Sequence, residues 1–324
     1  MKLFAKTLML LLTATVILTG CANSPTPPVS TPALVNNTPQ TTPEAPDGDV
    51  DERADWPGTL TIVLMPDEAN PDAATSNDTF RTAMETTLGI KVDIIEAFEY
   101  AVGIEAMKSG KLDLLLVSPM SYYQAERIAN IEPLVTTGTE GTTPYKTVFV
   151  TRADRNDINS LEDLRDKTFA FVDPASSSGY LYPKAKLLAE LGLDTDQLEN
   201  PGYFFKTATY SGKHDASLMG VAMGDYDAAA VALQIVNSVV QAGLVNESDL
   251  KIVGETDIIP SACYVMRTEL PQSLKDAIKD FYLGYDDSEF FELFYQSPDV
   301  RFIEAHASDY DVVYEMIRLL KIEE

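Results

Sequence analysis

The sequence contains few basic residues, few cysteines and few histidines. Its 324 residues include 50 acidic but only 24 basic side chains, so the formal net charge is −26. Because contacts with phosphates need a basic surface, this composition excludes a nucleic-acid-binding protein. Two cysteines cannot form a disulfide framework, and two isolated histidines have no metal-ligand spacing. We therefore expect a soluble globular protein with no metal or other cofactor.

One long apolar run exists, and it lies at the N-terminus. Two lysines precede 11 mostly apolar residues, 8–18, which are too few to span a bilayer but typical of a signal peptide. The Leu-Thr-Gly-Cys sequence that ends at Cys21 resembles the lipobox of bacterial lipoproteins. We predict that residues 1–20 are a lipoprotein signal peptide and that Cys21 is lipidated. The alternative is an ordinary secretory peptide with a chance cysteine.

The next segment, 21–55, has almost no large apolar residue. It contains seven prolines and many serines and threonines, so it cannot bury enough surface to offset its ordering entropy. We predict a disordered tether that joins the lipid anchor in the membrane to the folded part. The protein is then extracytoplasmic, at the cell surface or in the periplasm.

From Trp56 onward, β-rich runs alternate with helical patterns. We predict strands at 59–65, 90–95, 112–117, 146–151, 168–172, 203–207 and 226–231. We predict helices at 78–88, 101–108, 183–191 and 215–223, and three more that start at Pro271, Asp287 and Ser308. Continuous apolar strands joined by helices indicate an α/β fold with parallel sheets.

Three consecutive serines, Ser176, Ser177 and Ser178, stand between a predicted strand and a predicted helix. Gly179 follows them and allows the backbone to approach closely. Hydroxyls and unpaired N–H groups at a helix N-terminus form an anion site without any lysine or arginine. The alternative is that one serine caps the helix and the other two are solvated.

Four motifs occur in an order that one protein family shares. They start at Tyr100 (YAVGIEAM), Ser118 (SPMSY), Asp173 (DPASSSGY) and Gly212 (GKHD). Together they resemble the phosphate-, phosphite- and phosphonate-binding lipoproteins of ABC importers, and the resemblance covers nearly all of residues 57–290. It implies a two-lobed α/β fold of the periplasmic-binding-protein type II class, with the ligand in the interlobe cleft. It also implies a monomer that captures its ligand by lobe closure and delivers it to an ABC transporter permease.

The resemblance also places the domains. Lobe 1 spans residues 57–145, and residues of about 258–324 return to it. Lobe 2 spans residues 146–257. The hinges are expected near 145–150 and 255–260.

The resemblance assigns further ligand-binding residues besides the three serines. His214 is expected to donate a hydrogen bond to a phosphonyl oxygen, and the phenols of Tyr100 and Tyr145 are expected to contact the ligand. The alternative for both tyrosines is that they are core aromatics with satisfied hydroxyls. A lone histidine such as His214 is also commonly structural.

Two departures from the family pattern bear on the ligand. Relatives that take aminoalkyl phosphonates hold the ammonium with carboxylates, where this sequence has Gln234 and Ser261. A buried ammonium without a counter-charge is strongly unfavourable. We therefore predict phosphite, methylphosphonate or phosphate rather than 2-aminoethylphosphonate, unless Asp257 supplies the charge.

Other classes of function remain alternatives. A sensor or a binder of another small organic solute would use the same fold. An exported serine hydrolase would use one of the three serines, His214 as base, and Asp215 or Asp227 behind it. The sequence has no Gly-x-Ser-x-Gly elbow, and adjacent His and Asp rarely pair, so we expect no enzyme and read Asp227 as structural.

Overall fold

The computed structural model describes residues 53–64, 73–96, 99–138 and 145–322. The predicted signal peptide, the lipidated Cys21 and nearly all of the tether lie outside the described residues. In the part of the chain that is described, no helix combines the length and the apolar character needed to cross a membrane.

Eleven strands and nine α-helices make up the described fold. The strands are β1 (Thr59–Leu64), β2 (Lys91–Glu96), β3 (Leu114–Val117), β4 (Ile131–Thr137), β5 (Thr147–Arg152), β6 (Thr168–Phe171), β7 (Thr207–Tyr210), β8 (Ala228–Ala232), β9 (Leu250–Glu255), β10 (Cys263–Arg267) and β11 (Phe302–Glu304). The helices are α1 (Ala73–Leu88), α2 (Tyr100–Lys108), α3 (Pro119–Ile128), α4 (Tyr182–Leu191), α5 (His214–Met223), α6 (Leu233–Gln241), α7 (Gln272–Gly284), α8 (Ser288–Tyr295) and α9 (Asp311–Leu320).

The strands form two separate sheets. The first has the order β11-β4-β10-β3-β1-β2, and the second has the order β7-β6-β8-β5-β9. The segments between β4 and β5 and between β9 and β10 cross from one sheet to the other. The predicted hinge at 145–150 overlaps the start of β5, and the predicted hinge at 255–260 includes the last residue of β9.

The predicted parallel pairing is present in part of each sheet, and the sheets are mixed. In the first sheet β1 pairs in parallel with β2 and β3, but β10 lies antiparallel between β3 and β4. In the second sheet β6 is parallel to β7 and β8, but β5 is antiparallel to β8 and β9. Both β10 and β5 are the first strand after a crossover, and β11 also pairs antiparallel with β4.

Two local predictions also differ from the structure. The predicted strand at 203–207 is wrong, because β7 begins only at Thr207. Phe204 and Phe205 are fully buried from a turn and so imitate the apolar pattern of a strand. The helix predicted to start at Ser308 begins with a 3₁₀ turn, Ala307–Tyr310, and becomes α-helical at Asp311.

The C-terminal helix contacts both halves of the molecule, of which the first is built on the first sheet and the second on the second sheet. Val313 and Ile317 of α9 belong to the same buried cluster as Met120 from the first half and Tyr182 from the second. The last turn reaches the second half, because Thr195 Oγ1 donates to the carbonyl oxygen of residue 320 at 2.8 Å. The described C-terminus therefore packs on the second sheet's side after its predicted return to lobe 1.

Cys263 lies in β10 without exposed surface. Burial raises the pKa of its thiol to about 12, and the thiolate is the reactive form of cysteine. We expect a chain carrying Cys21→Ser to show no reaction with a thiol reagent at pH 8 while it is native. Unfolding in urea should expose one thiol per chain. Rapid labelling of the native protein would contradict the buried position.

Candidate functional site

The site is built where strands end and helices begin. The first residue of α2 is Tyr100, the first residue of α5 is His214, and Ser118 caps α3. A π-helical turn, Ser177–Leu181, leads from β6 into α4. The carboxyl ends of strands in such α/β sheets are the usual place for ligands.

The three serines are all buried, and each hydroxyl has a different set of partners. The hydroxyl of Ser176 accepts a hydrogen bond from the Gly179 backbone N–H at 3.0 Å, so Ser176 caps the π-helical turn. The alternative that one serine caps the helix is therefore correct for Ser176. Its second part is wrong, because the exposed fractions of Ser177 and Ser178 are 0% and 1%.

The hydroxyl of Ser177 joins the two halves of the molecule. It accepts a hydrogen bond from the Met120 backbone N–H at 2.7 Å and donates to Ser118 Oγ at 3.1 Å. Beside it, Ser121 Oγ donates to the carbonyl oxygen of Ala175 at 2.8 Å. α3 was not among the elements predicted to form the site. The Ser-Pro pair at its start is an N-cap signature and was the signal for it.

Ser178, Tyr145 and His214 form one hydrogen-bond network. The Tyr145 hydroxyl donates to Ser178 Oγ at 3.1 Å, and Ser178 Oγ lies 3.0 Å from Nε2 of His214. The other ring nitrogen, Nδ1, accepts from the Ala232 backbone N–H at 3.1 Å. Because Nδ1 is an acceptor, the neutral ring carries its proton on Nε2.

The tautomer of His214 determines whether the Ser178 hydroxyl can donate a hydrogen bond to a ligand. Its hydroxyl oxygen accepts from Tyr145 and from Nε2–H of the histidine. Its own proton has no acceptor among the hydrogen bonds of the described residues. The network therefore presents polar hydrogens, which suit an acceptor-rich ligand such as an oxyanion.

The site has no fixed positive charge. Burial lowers the pKa of His214 to about 3, so its ring is neutral at physiological pH. In the described part of the chain, the hydrogen-bond partners of the three serines and His214 are hydroxyls, a ring nitrogen and backbone groups. Any stabilisation of an anion must then come from these dipoles and from the helix N-termini.

The geometry does not form a Ser-His-Asp triad. The ring nitrogen that faces Ser178 already holds a proton, and the other accepts a backbone N–H, so His214 has no free lone pair to act as a base. Asp227 lies elsewhere and accepts from the N–H and hydroxyl of Thr168 and from Arg155. The Asp215 carboxylate accepts from the Ala216 N–H. The hydrolase arrangement is therefore absent from the described residues.

The remaining predicted site residues lie outside this network. Tyr100 is buried in an apolar cluster that also contains Ala175, just before the serines. Gln234 lies in the first turn of α6, and its Oε1 is buried without a hydrogen-bond partner among the described residues. Ser261 lies in the second crossover, and its carbonyl oxygen accepts from the Tyr310 hydroxyl at 3.3 Å. No hydrogen bond of the described residues links Gln234 or Ser261 to Ser178 or His214.

The two sheets, with ligand-type groups at their facing strand ends, define a two-lobed substrate-binding protein. A solved structure, that of PhnD1 from Prochlorococcus marinus in complex with methylphosphonate, has this fold. It superposes with a TM-score of 0.71 at 22% identity and covers 82% of this chain and 98% of that one. The predicted type II periplasmic-binding-protein fold is thus confirmed.

The family follows from the sequence comparisons. Residues 62–310 match the family model described as ABC transporter, phosphonate, periplasmic substrate-binding protein, and the chain belongs to this family. It is 31% identical to the phosphate-import protein PhnD of Mycolicibacterium smegmatis over 73% of this chain and 75% of that protein. It is 28% identical to the phosphonates-binding periplasmic protein of Escherichia coli over 64% of this chain and 60% of that protein. The predicted resemblance is confirmed, and the chain is an extracytoplasmic substrate-binding component of this transporter class.

Proposed function

We propose that this protein captures a small phosphorus oxyanion, namely phosphite, methylphosphonate or phosphate, and delivers it to an ABC transporter permease. The observation that carries the proposal is the Ser178–His214 hydrogen bond, with Nδ1 of the ring held by the Ala232 N–H. It leaves the proton of the Ser178 hydroxyl free for an anion, and the Nε2–H that donates to Ser178 Oγ is a second neutral donor beside it. Both names of the relatives, a phosphate-import protein and a phosphonates-binding protein, support this class of ligand.

Neutral side chains support a ligand without an amino group. Gln234 and Ser261 stand where an ammonium would need carboxylates, and a buried ammonium without them is unfavourable by several kcal/mol. The unpartnered Oε1 of Gln234 is a buried acceptor. Such an atom calls for one hydrogen-bond donor, such as a protonated oxygen of the ligand or an ordered water. Asp257 is exposed in the second crossover and has no hydrogen bond to this group of residues.

Lobe closure supplies the mechanism. The contacts between Ser177 and Met120, and between Ser121 and Ala175, join the serine loop of one half to α3 of the other. A ligand that contacts both halves favours the closed state by its differential affinity for it. Exclusion of water then strengthens each neutral hydrogen bond to the anion, which allows tight binding without a fixed cation.

The biological setting completes the proposal. We infer that Cys21 carries a lipid, that residues 21–55 act as the tether, and that the protein works as a monomer without catalytic activity. The hydrogen bonds of His214 support the last point, because its Nδ1 accepts from the Ala232 N–H and its Nε2 carries the proton, so neither nitrogen is free to act as a base. A sensor partner or another small organic solute remains the alternative on the same fold.

The test is isothermal titration calorimetry of the chain carrying Cys21→Ser, unfolded and refolded to remove bound ligand. The titrants are phosphite, methylphosphonate, phosphate, 2-aminoethylphosphonate and sulfate. We expect tight binding of one of the first three and weak binding of the aminated compound. Ser178→Ala should weaken binding at least about tenfold, since a hydrogen bond to a charged group is worth roughly 1.5–3 kcal/mol.

Ser160→Ala is the matched control, because its hydroxyl donates to Asp163 in a surface loop of the same half. It should bind like the wild type. Absence of binding to all five compounds would contradict the proposed function. Tight binding of 2-aminoethylphosphonate would keep the family and contradict the argument from Gln234 and Ser261.

A further inference from the structure

Glu199 contacts the two chain segments that carry Ser178 and His214. It lies between α4 and β7, next to Leu198, which is fully buried in the core of the second half. Its Oε1 accepts hydrogen bonds from the Tyr180 hydroxyl and from Lys184 Nζ, both at 2.7 Å. Its Oε2 accepts a short hydrogen bond from the Tyr210 hydroxyl. One carboxylate therefore holds two tyrosines that come from different parts of the chain.

The positions of these tyrosines along the chain connect Glu199 to the anion site. Tyr180 follows Ser178 by two residues in the same π-helical turn. Tyr210 is the last residue of β7 and precedes His214 by four residues. Each partner of the Ser178–His214 hydrogen bond is thus joined by a short stretch of chain to one oxygen of Glu199.

The network is charged and closely packed. Burial lowers the pKa of Lys184, but its hydrogen bonds to Glu199 and Tyr180 outweigh this effect, and the pKa of Glu199 lies below its usual range. An ionised carboxylate makes stronger hydrogen bonds than a neutral acceptor. The rings of Tyr180 and Tyr210 lie 5.8 Å apart and both contact Phe171 of β6, at 5.5 and 6.2 Å between centroids.

We propose that Glu199 is a positioning residue of the anion site, which sets the separation of Ser178 and His214 by holding Tyr180 and Tyr210 on its two oxygens. The inference rests on the proposed function, because it assumes that these two groups bind the ligand. Glu199 itself needs no contact with the ligand. Its role could not be predicted from the sequence, because Glu199 lies in an irregular loop, 19 residues along the chain from Tyr180 and 11 from Tyr210.

The first experiment observes His214 in the absence of ligand. The chain has only two histidines, so ¹⁵N-detected ring spectra resolve His214 from His306. We expect Glu199→Gln and Tyr210→Phe to shift the Nε2 resonance of His214, because the hydrogen bond to Ser178 changes. Asp227→Asn is the matched control, because this carboxylate also links distant chain segments of the same half. It accepts hydrogen bonds from the N–H and hydroxyl of Thr168 at the start of β6. This variant should lower the melting temperature and leave the His214 resonances in place.

The second experiment measures affinity for methylphosphonate by calorimetry. We expect Glu199→Gln to weaken binding about tenfold, as for the loss of one hydrogen bond of about 1–1.5 kcal/mol at the ligand, and Tyr210→Phe to weaken it less. In a His214→Ala background, the effect of Tyr210→Phe should disappear, because the residue that it positions is gone. Should Glu199→Gln fail to fold, Tyr210→Phe provides the same test with a smaller change.

The outcomes separate this inference from the proposed function. Unshifted His214 resonances in both variants would overturn the inference, as would an affinity loss that persists undiminished without His214. A wild type that binds neither methylphosphonate nor the other oxyanions would overturn the proposed function, while the ligand-free spectra still decide whether Glu199 positions His214.

Discussion

Gly179→Ala is expected to abolish detectable binding of methylphosphonate. An added Cβ would lie 2.3 Å from Cβ and 2.5 Å from Cγ2 of Val172, far inside contact distance. Rotation of a side chain cannot relieve this, because the Cβ of Val172 is fixed by its backbone, and the Val172 N–H donates to the Gly179 carbonyl oxygen at 2.9 Å. The serine loop must therefore move away from the end of β6.

The size of the effect follows from what moves with the loop. Ser178 directly precedes Gly179, so its hydrogen bonds to Tyr145 and His214 are lost together. The two proposed donors to the anion, the Ser178 hydroxyl and His214 Nε2–H, are then no longer held together. Loss of both hydrogen bonds to a charged ligand, at roughly 1.5–3 kcal/mol each, weakens binding more than about 100-fold. Overpacking should also lower the free energy of unfolding by about 1–3 kcal/mol.

Calorimetry and thermal unfolding measure the two effects separately. Gly284→Ala is the control, because an added Cβ there meets no atom within 4 Å at the end of α7. It should keep wild-type affinity and stability. Wild-type affinity in Gly179→Ala would mean that the serine loop does not bind the ligand.

The position of Gly179 is one that the sequence predicted well. A glycine after three serines, between an apolar strand and a helix, indicates close backbone approach and a helix-terminal site, and both features are present. The hydrogen-bond partners of the three serine hydroxyls could not be predicted. Their partners, such as Met120, Tyr145 and His214, lie 33 to 57 residues away along the chain, and only folding brings them together.

The fold, like the site, was predictable from the sequence only in part. Local apolar patterns predicted β1, β2, β3, β5, β6 and β8 and most of the helices, but they did not predict β4, β9, β10, β11, α3 or α6. They failed where burial has another cause, as for Phe204 and Phe205 in a turn. They also carry no information on strand direction, so the antiparallel entry of β5 and β10 after each crossover was not visible. The charged contacts of Glu199 depend on a loop that has no periodicity at all.

The stability of the ligand-free protein is expected to fall as the pH decreases from 7.5 to 5. The folded state keeps His214 neutral, with a pKa of about 3, while an unfolded histidine has a pKa of about 6.5. Between these values the unfolded state binds a proton that the folded state does not, so acidification favours unfolding. At pH 5 this difference lowers the free energy of unfolding by about 2 kcal/mol relative to pH 7.5.

Urea unfolding at pH 7.5, 6 and 5 measures this effect, and His214→Asn identifies its source. The variant is less stable at pH 7.5, because it loses the hydrogen bonds to Ser178 and Ala232, but its stability should depend much less on pH in this window. Five carboxylates have lowered pKa values, lose their contribution mainly below pH 5 and are shared by both proteins: Asp157, Asp163, Glu199, Asp227 and Glu269. His306→Asn, at an exposed position, should keep the wild-type slope. Parallel curves for the wild type and His214→Asn would show that the ring is not buried in its neutral form, and the donor role of Nε2–H in the site would then have to be given up.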